Sequence, residues 1–251
     1  MAFVILISAV ISLGAADAAS ENETPDNGKQ TCFAEKGGKP LPRFDQICQK
    51  LHDFFGSSMP THITIEFTDA YFSRFSPDTS TVKISARHYQ QKPFKVIAHE
   101  AAHIAMARLT QSSSLWNKFR FIDEGYASVF SNDVAGKREW HKAYSLQIAA
   151  REHRTQNVSF LLVQDWRRYW GDTRMHSGRD RSKFSDYAYS VGASFVYFFL
   201  DSFGENAFLK FLKNLPGHGS IHGALTNSLG LASTEVERLW LGYLAAVTLE
   251  K

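Results

Sequence analysis

Residues 93–110 read PFKVIAHEAAHIAMARLT, and the reading of this stretch decides the fold. Val96, Ile97, Ile104 and Leu109 recur at helical spacing. Pro93 suits the first turn, where its missing N–H has no intrahelical partner to lose. The TQSSS run at 110–114 ends the helix. Within it stands His99-Glu100-Ala101-Ala102-His103. Two histidines four apart share one helix face a turn apart, so both imidazoles can reach a single ion at roughly 2.0–2.1 Å. Glu100 is rotated about 100° from His99, beside such an ion, where its carboxylate suits taking a proton from metal-bound water.

Outward from this helix the hydrophobic period changes. HITIEFT at 62–68 alternates Ile63, Ile65 and Phe67 against Thr64 and Glu66, and TVKISA at 81–86 alternates Val82, Ile84 and Ala86 against Lys83 and Ser85. Two half-buried strands are expected, with Ser76-Pro77-Asp78 as a turn between them. Before them, PRFDQICQKLHDFF at 42–55 places Phe44, Ile47, Cys48, Leu51, Phe54 and Phe55 at helical spacing, and Gly56 can stop that helix. Beyond the HExxH helix nearly everything reads as helix: Phe121 to Ser131, Arg138 to Arg154, Ser159 to Tyr169, Ser185 to Phe203, Ala207 to Leu212 and Glu235 to Leu249. The expected class is α+β, a small sheet with the active-site helix in the front half and a mostly helical back half.

Two histidines do not complete a catalytic zinc site, which takes three protein ligands and keeps a position for water. Ile122-Asp123-Glu124-Gly125-Tyr126-Ala127 offers Glu124 near the start of the next helix, with Gly125 and Ala127 small enough for close approach. Glu124 is the expected third ligand beside His99 and His103. Metal-bound histidines donate their other N–H to a carboxylate or carbonyl, and Asp123 and Ser128 are the candidates, each equally readable as a helix cap or a surface polar group.

These motifs resemble the gluzincins, metallopeptidases with two His and one Glu as zinc ligands, including the thermolysin-like and aminopeptidase branches. The resemblance rests on His99-Glu100-x-x-His103 and Asp123-Glu124-Gly125-Tyr126-Ala127. Tyr189-Ser190-Val191-Gly192-Ala193 is similar to the Tyr-x-x-Gly-Ala segment of the aminopeptidase branch. The resemblance spans about residues 63–198. It implies a zincin-like fold over 59–251, a Zn2+ cofactor, a zinc-bound water with Glu100 as general base, and Tyr189 stabilising the oxyanion. Tyr189 is also readable as a core aromatic, since it lies in the run Tyr187, Tyr189, Phe195, Tyr197, Phe198, Phe199. The Gly-x-x-Glu-Asn segment of the aminopeptidase branch does not precede His99, which favours cleavage within a chain. The alternative is a gluzincin-fold protein that keeps zinc, has lost turnover and acts as a binding module. A structural zinc site would need a fourth protein ligand, and none is evident.

The rest of the chain limits the setting. Over 251 residues, 28 Lys and Arg against 25 Asp and Glu give +3, too weak a footprint for nucleic acid; the peptide or protein substrate is what the resemblance implies. Residues 2–16 are apolar and end in small residues before Ala16-Asp17-Ala18. A signal peptide over 1–18 is expected, with an uncleaved anchor as the alternative. Cleavage implies a secreted or periplasmic protein without stable membrane insertion, opening on a leader and helix over 19–58. Cys32 and Cys48 suit one disulfide there, or two separate buried thiols.

Two further features carry weaker readings. His218 and His222 fall in the Gly-rich PGHGSIHG, readable as a loop over the cleft or as a plain surface turn. Arg151 to Arg181, interleaved with Trp166, Tyr169 and Trp170, reads as a solvated face with buried aromatics, an acidic or polymeric substrate being the lesser reading. No feature of the sequence speaks to oligomeric state.

Overall fold

The computed structural model describes residues 32–70, 73–76, 78–111, 119–156 and 179–249. The expected signal peptide and most of the leader, the helix expected at 159–169, and much of the Arg-rich stretch lie outside them.

The two alternating stretches form β2 (Ile63–Thr68) and β4 (Thr81–Ser85), which pair in parallel with Ile65 opposite Val82 and Phe67 opposite Ile84. Ile63, Ile65, Val82 and Ile84 are fully buried, as period-two alternation on a one-sided sheet requires. Two short strands complete the sheet: β1 (Phe33–Glu35), parallel to β2, and β3 (Arg74–Ser76), antiparallel to β4, in the order β1-β2-β4-β3. Neither was expected, because three residues are too few to show a period. Ser76, read as part of a turn, is the last residue of β3.

α1 (Asp45–Phe55), entered through a 3-10 turn at Pro42–Phe44, buries Ile47, Cys48, Leu51 and Phe55. Cys48 is bonded to Cys32 with their Cα atoms 6.3 Å apart, which ties this helix to the start of the edge strand β1. The strand expected to run through Ala86 stops at Ser85, and Ala86 opens α2 (Ala86–Gln91).

α3 (Pro93–Thr110) ends where Gln111 turns left-handed, φ 49°, and returns its N–H to the last carbonyls. The sequence suggested an apolar stripe on one side. Instead α3 is buried on almost every side from Ile97 to Met106, because it runs between β3 and β4, α1, and two later helices. Its alanines leave those neighbours room, and its lack of a polar face is the mark of an interior helix.

The back half comprises α4 (Arg120–Val134), α5 (Arg138–Gln156), α6 (Arg179–His218), α7 (Ile221–Leu229) and α8 (Ser233–Leu249). α6 is broken at Gly204 (φ 81°, ψ 170°), matching the expected end near Phe203. Phe195, Phe199, Phe208, Phe211 and Trp240 fill the core between these helices, with Phe199 and Phe211 stacked at 5.1 Å and Trp240 edge-on to Phe195 at 5.7 Å. The chain is α+β. No helix among the described residues is long and apolar enough to cross a membrane.

PGHGSIHG is not a loop over a cleft. α6 runs through His218, and α7 begins at Ile221 with Ser220 Oγ accepting from Gly223 N–H at 3.2 Å. His218 Nε2 lies 2.7 Å from Asn227 Nδ2, and His222 Nδ1 lies 2.7 Å from Ser233 Oγ. Both histidines tie helix ends together.

Candidate metal centre

α3, α4 and α6 meet at one point, and glycines permit it. A Cβ on Gly125 of α4 would lie 2.5 Å from the carbonyl carbon of Gly192 in α6, and one on Gly192 would lie 2.3 Å from Phe121 O. Only two residues without side chains let the helix backbones approach this closely. The crossing sets Glu124, beside Gly125, against the histidines of α3, and brings Tyr189, one turn before Gly192, to the same place.

His99 Nε2 lies 3.1 Å from Glu124 Oε2, His103 Nε2 lies 3.2 Å from His99 Nε2, and His103 Nε2 lies 3.5 Å from Glu124 Oε2. The edges of a tetrahedron with bonds of 2.0–2.1 Å are roughly 3.3–3.4 Å, so the three donors have the spacing of one tetrahedral face. His99, His103 and Glu124 are therefore positioned to hold a metal ion, and among the described residues they are the one His/Cys/Asp/Glu group so arranged. His99 is about one-fifth exposed while His103 and Glu124 are buried, so the triad opens to solvent on the His99 side.

The neighbours fix the donors. His103 Nδ1 lies 2.9 Å from Asp123 Oδ1, which turns Nε2 toward the triad. Phe75 of β3 stacks on the His103 ring at 4.8 Å and 18°. Arg120 Nη2, one turn before Glu124, lies 3.4 Å from Glu124 Oε1. Among the described residues no hydrogen bond links Ser128 to either histidine. In the described hydrogen bonds only its carbonyl takes part, accepting from Ser131 Oγ and Asn132 Nδ2. It lies more than a turn beyond Asp123 on α4, out of step with His103.

Electrostatics follow the geometry. Burial disfavours both the Glu124 carboxylate and a charged His103, yet each supplies the other's counter-charge. Glu124 is held well below the usual carboxylate range by His103 and then His99, and His103 is held well above the usual imidazole value by Asp123 first and Glu124 second. Glu100 is raised, chiefly by burial, with Glu124 and Asp123 pushing the same way against the two histidines. Tyr189 is raised by burial and then by Glu124, whose carboxylate accepts a hydrogen bond from its hydroxyl. Its ring lies 6.1 Å from that of His99.

A cleft of about 410 Å³ opens beside His99, lined also by Ser73, His88, Lys92, Lys95, Glu100 and Tyr189. All five residues expected to form the site, His99, Glu100, His103, Glu124 and Tyr189, meet here, and Asp123 supports His103. Arg120 was missed, although its place four residues before Glu124 is an ordinary ion-pair spacing on a helix. His88, Lys92 and Lys95 were missed too, since nothing local in the sequence ties α2 and the start of α3 to the cleft.

No family model matches the chain, and neither a curated protein nor a solved structure matches it.

Proposed function

We propose that this chain is a zinc-dependent peptidase of the gluzincin type, with a zincin-like fold, that cleaves within peptide chains. The observation that carries the reading is the His99, His103 and Glu124 triad at tetrahedral spacing, with Glu100 and Tyr189 on the wall of the adjoining cleft. Two imidazoles and one carboxylate are a catalytic rather than a structural zinc donor set. Bound there, zinc would supply Lewis acidity, polarising a carbonyl and making water a stronger acid.

The protein's own groups supply the rest. Glu100 accepts a proton as the water oxygen bonds to the carbonyl carbon, then delivers it to the amine nitrogen as the C–N bond breaks. Its burial favours the protonated form it must pass through. The Tyr189 O–H, which Glu124 accepts in the structure, would turn to the carbonyl oxygen as negative charge builds on it. Asp123 holds the His103 ring, and Arg120 holds Glu124 through the oxygen that faces away from the histidines. The Cys32–Cys48 bond agrees with an oxidising compartment and hence with export.

The test is digestion of an unfolded protein by the purified mature chain, alone, after chelation, and after zinc is added back. Cleavage lost on chelation and restored by zinc supports the proposal. Zinc binding without cleavage of any substrate, in protein with a native melting transition, contradicts it and favours a binding module.

A further inference from the structure

The cleft beside the metal centre has a charge bias that the proposed reaction does not explain. Lys92, the N-terminal cap residue of α3, is exposed, and Lys95 stands one turn before His99. Both line the cleft with His88 of α2. Among the described residues Glu100 is the sole carboxylate in that wall, and it is committed to proton transfer. Lys95 Nζ donates to the neutral Asn132 Oδ1 at 3.0 Å, and neither lysine forms an ion pair with a described residue. The Lys95 ammonium is pushed down by burial and then by Lys92 and Lys137. Cations gathered in a partly desolvated wall repel one another, and an anion entering the cleft relieves that repulsion.

We infer that Lys92 and Lys95 form a subsite for a carboxylate of the bound peptide, which selects acidic substrates. The inference rests on the peptidase reading for the word substrate, but the anion site stands on the cleft alone. Along the helix axis Lys95 is about 6 Å and Lys92 about 10 Å from His99. An extended peptide advances roughly 3.3 Å per residue. The carboxylate therefore belongs two or three residues from the bond at the metal, on an Asp or Glu side chain or at a free C-terminus within that reach.

The experiment uses the zinc-loaded Glu100→Gln protein and fluorescent peptides in matched pairs, Glu against Gln at each position, each pair with a free and an amidated C-terminus. Anisotropy gives Kd. The acidic member should bind roughly fivefold more tightly than its Gln partner at low salt, with the advantage shrinking at high salt. That ratio should fall in Lys92→Gln and reach about one in Lys92→Gln/Lys95→Gln. Should the double variant fold poorly, Lys92→Glu alone must reverse the preference.

Loss of the advantage on amidation assigns the carboxylate to the C-terminus, and its persistence assigns it to the side chain. Equal binding of the pairs, no binding at all, or an advantage that survives both substitutions overturns the inference. Cleavage by the unsubstituted protein is followed in parallel. Lysine-dependent binding without any cleavage sinks the peptidase reading and leaves the anion site, whereas cleavage blind to acidic residues does the reverse.

Discussion

Asp123 Oδ1 stands 2.9 Å from His103 Nδ1 with both side chains buried, so one carboxylate on α4 sets the orientation of a donor on α3. Its neighbour Glu124 is itself a donor. Adjacent residues thus do different work at one centre, because α4 meets α3 with its first turn.

Replacing Asp123 with Ala should weaken zinc binding by about 10- to 100-fold, the usual cost of losing the partner of a ligating histidine. Competition against a chelating dye reads this directly. Asp123→Asn, which still offers an acceptor, should lose less. An unchanged affinity in the Ala variant would show that Phe75 stacking alone holds the ring.

Glu100 and Tyr189 separate by what each variant keeps. Glu100→Gln should retain one zinc and lose at least about 10²-fold in kcat, since an amide cannot accept the proton. Tyr189→Phe should retain zinc and lose roughly 10²- to 10³-fold in kcat with little change in KM. If Tyr189→Phe instead lowers zinc affinity and leaves kcat intact, the hydroxyl serves only to hold Glu124.

The α4–α6 crossing makes a stability prediction. Gly125→Ala or Gly192→Ala forces a methyl to within 2.5 or 2.3 Å of backbone atoms that cannot rotate away. Each should cost about 3 kcal/mol or more and move Tyr189 from the metal centre, so melting temperature and activity fall together. Gly242 of α8 meets nothing within 4 Å, and Gly242→Ala should gain up to about 1 kcal/mol.

His141 of α5 supplies a pH dependence away from the metal. Its Nδ1 lies 3.0 Å from the buried Tyr197 hydroxyl, and burial followed by Lys95 lowers it to about 4. Between that value and the ordinary 6.5 the unfolded chain binds a proton that the folded chain does not. Stability is therefore complete above pH about 6.5 and falls as pH drops toward 4, by at most about 3 kcal/mol. His141→Gln should flatten this limb in melting curves taken across that range.

The residues of the candidate site were legible because each is encoded locally. The four-residue spacing of His99 and His103 fixes a shared helix face, and Glu124 next to Gly125 marks a candidate ligand on a helix that can come close. β2 and β4 announced themselves by alternation. What could not be read depends on distant partners: β1 and β3 exist because β2 and β4 offer them edges, and α3 is buried all round because two later helices, α4 and α6, close over the side that the sheet and α1 leave open. α7 was hidden by Gly219 and Gly223, although Ser220 supplies a cap that the sequence displays. The lysines of the cleft became visible only once α3 was placed, since a charge near a helix start reads as solvated surface by default.

The central claim is that His99, His103 and Glu124 hold one catalytic ion. Its most direct test is the metal content and zinc X-ray absorption spectrum of dialysed protein beside its Glu124→Ala variant. The account expects one zinc per chain bound by two imidazoles and a carboxylate at about 2.0–2.1 Å, with most of that zinc lost from the variant. A chain that retains no zinc, or a variant that retains as much as the parent with an unchanged spectrum, would contradict it.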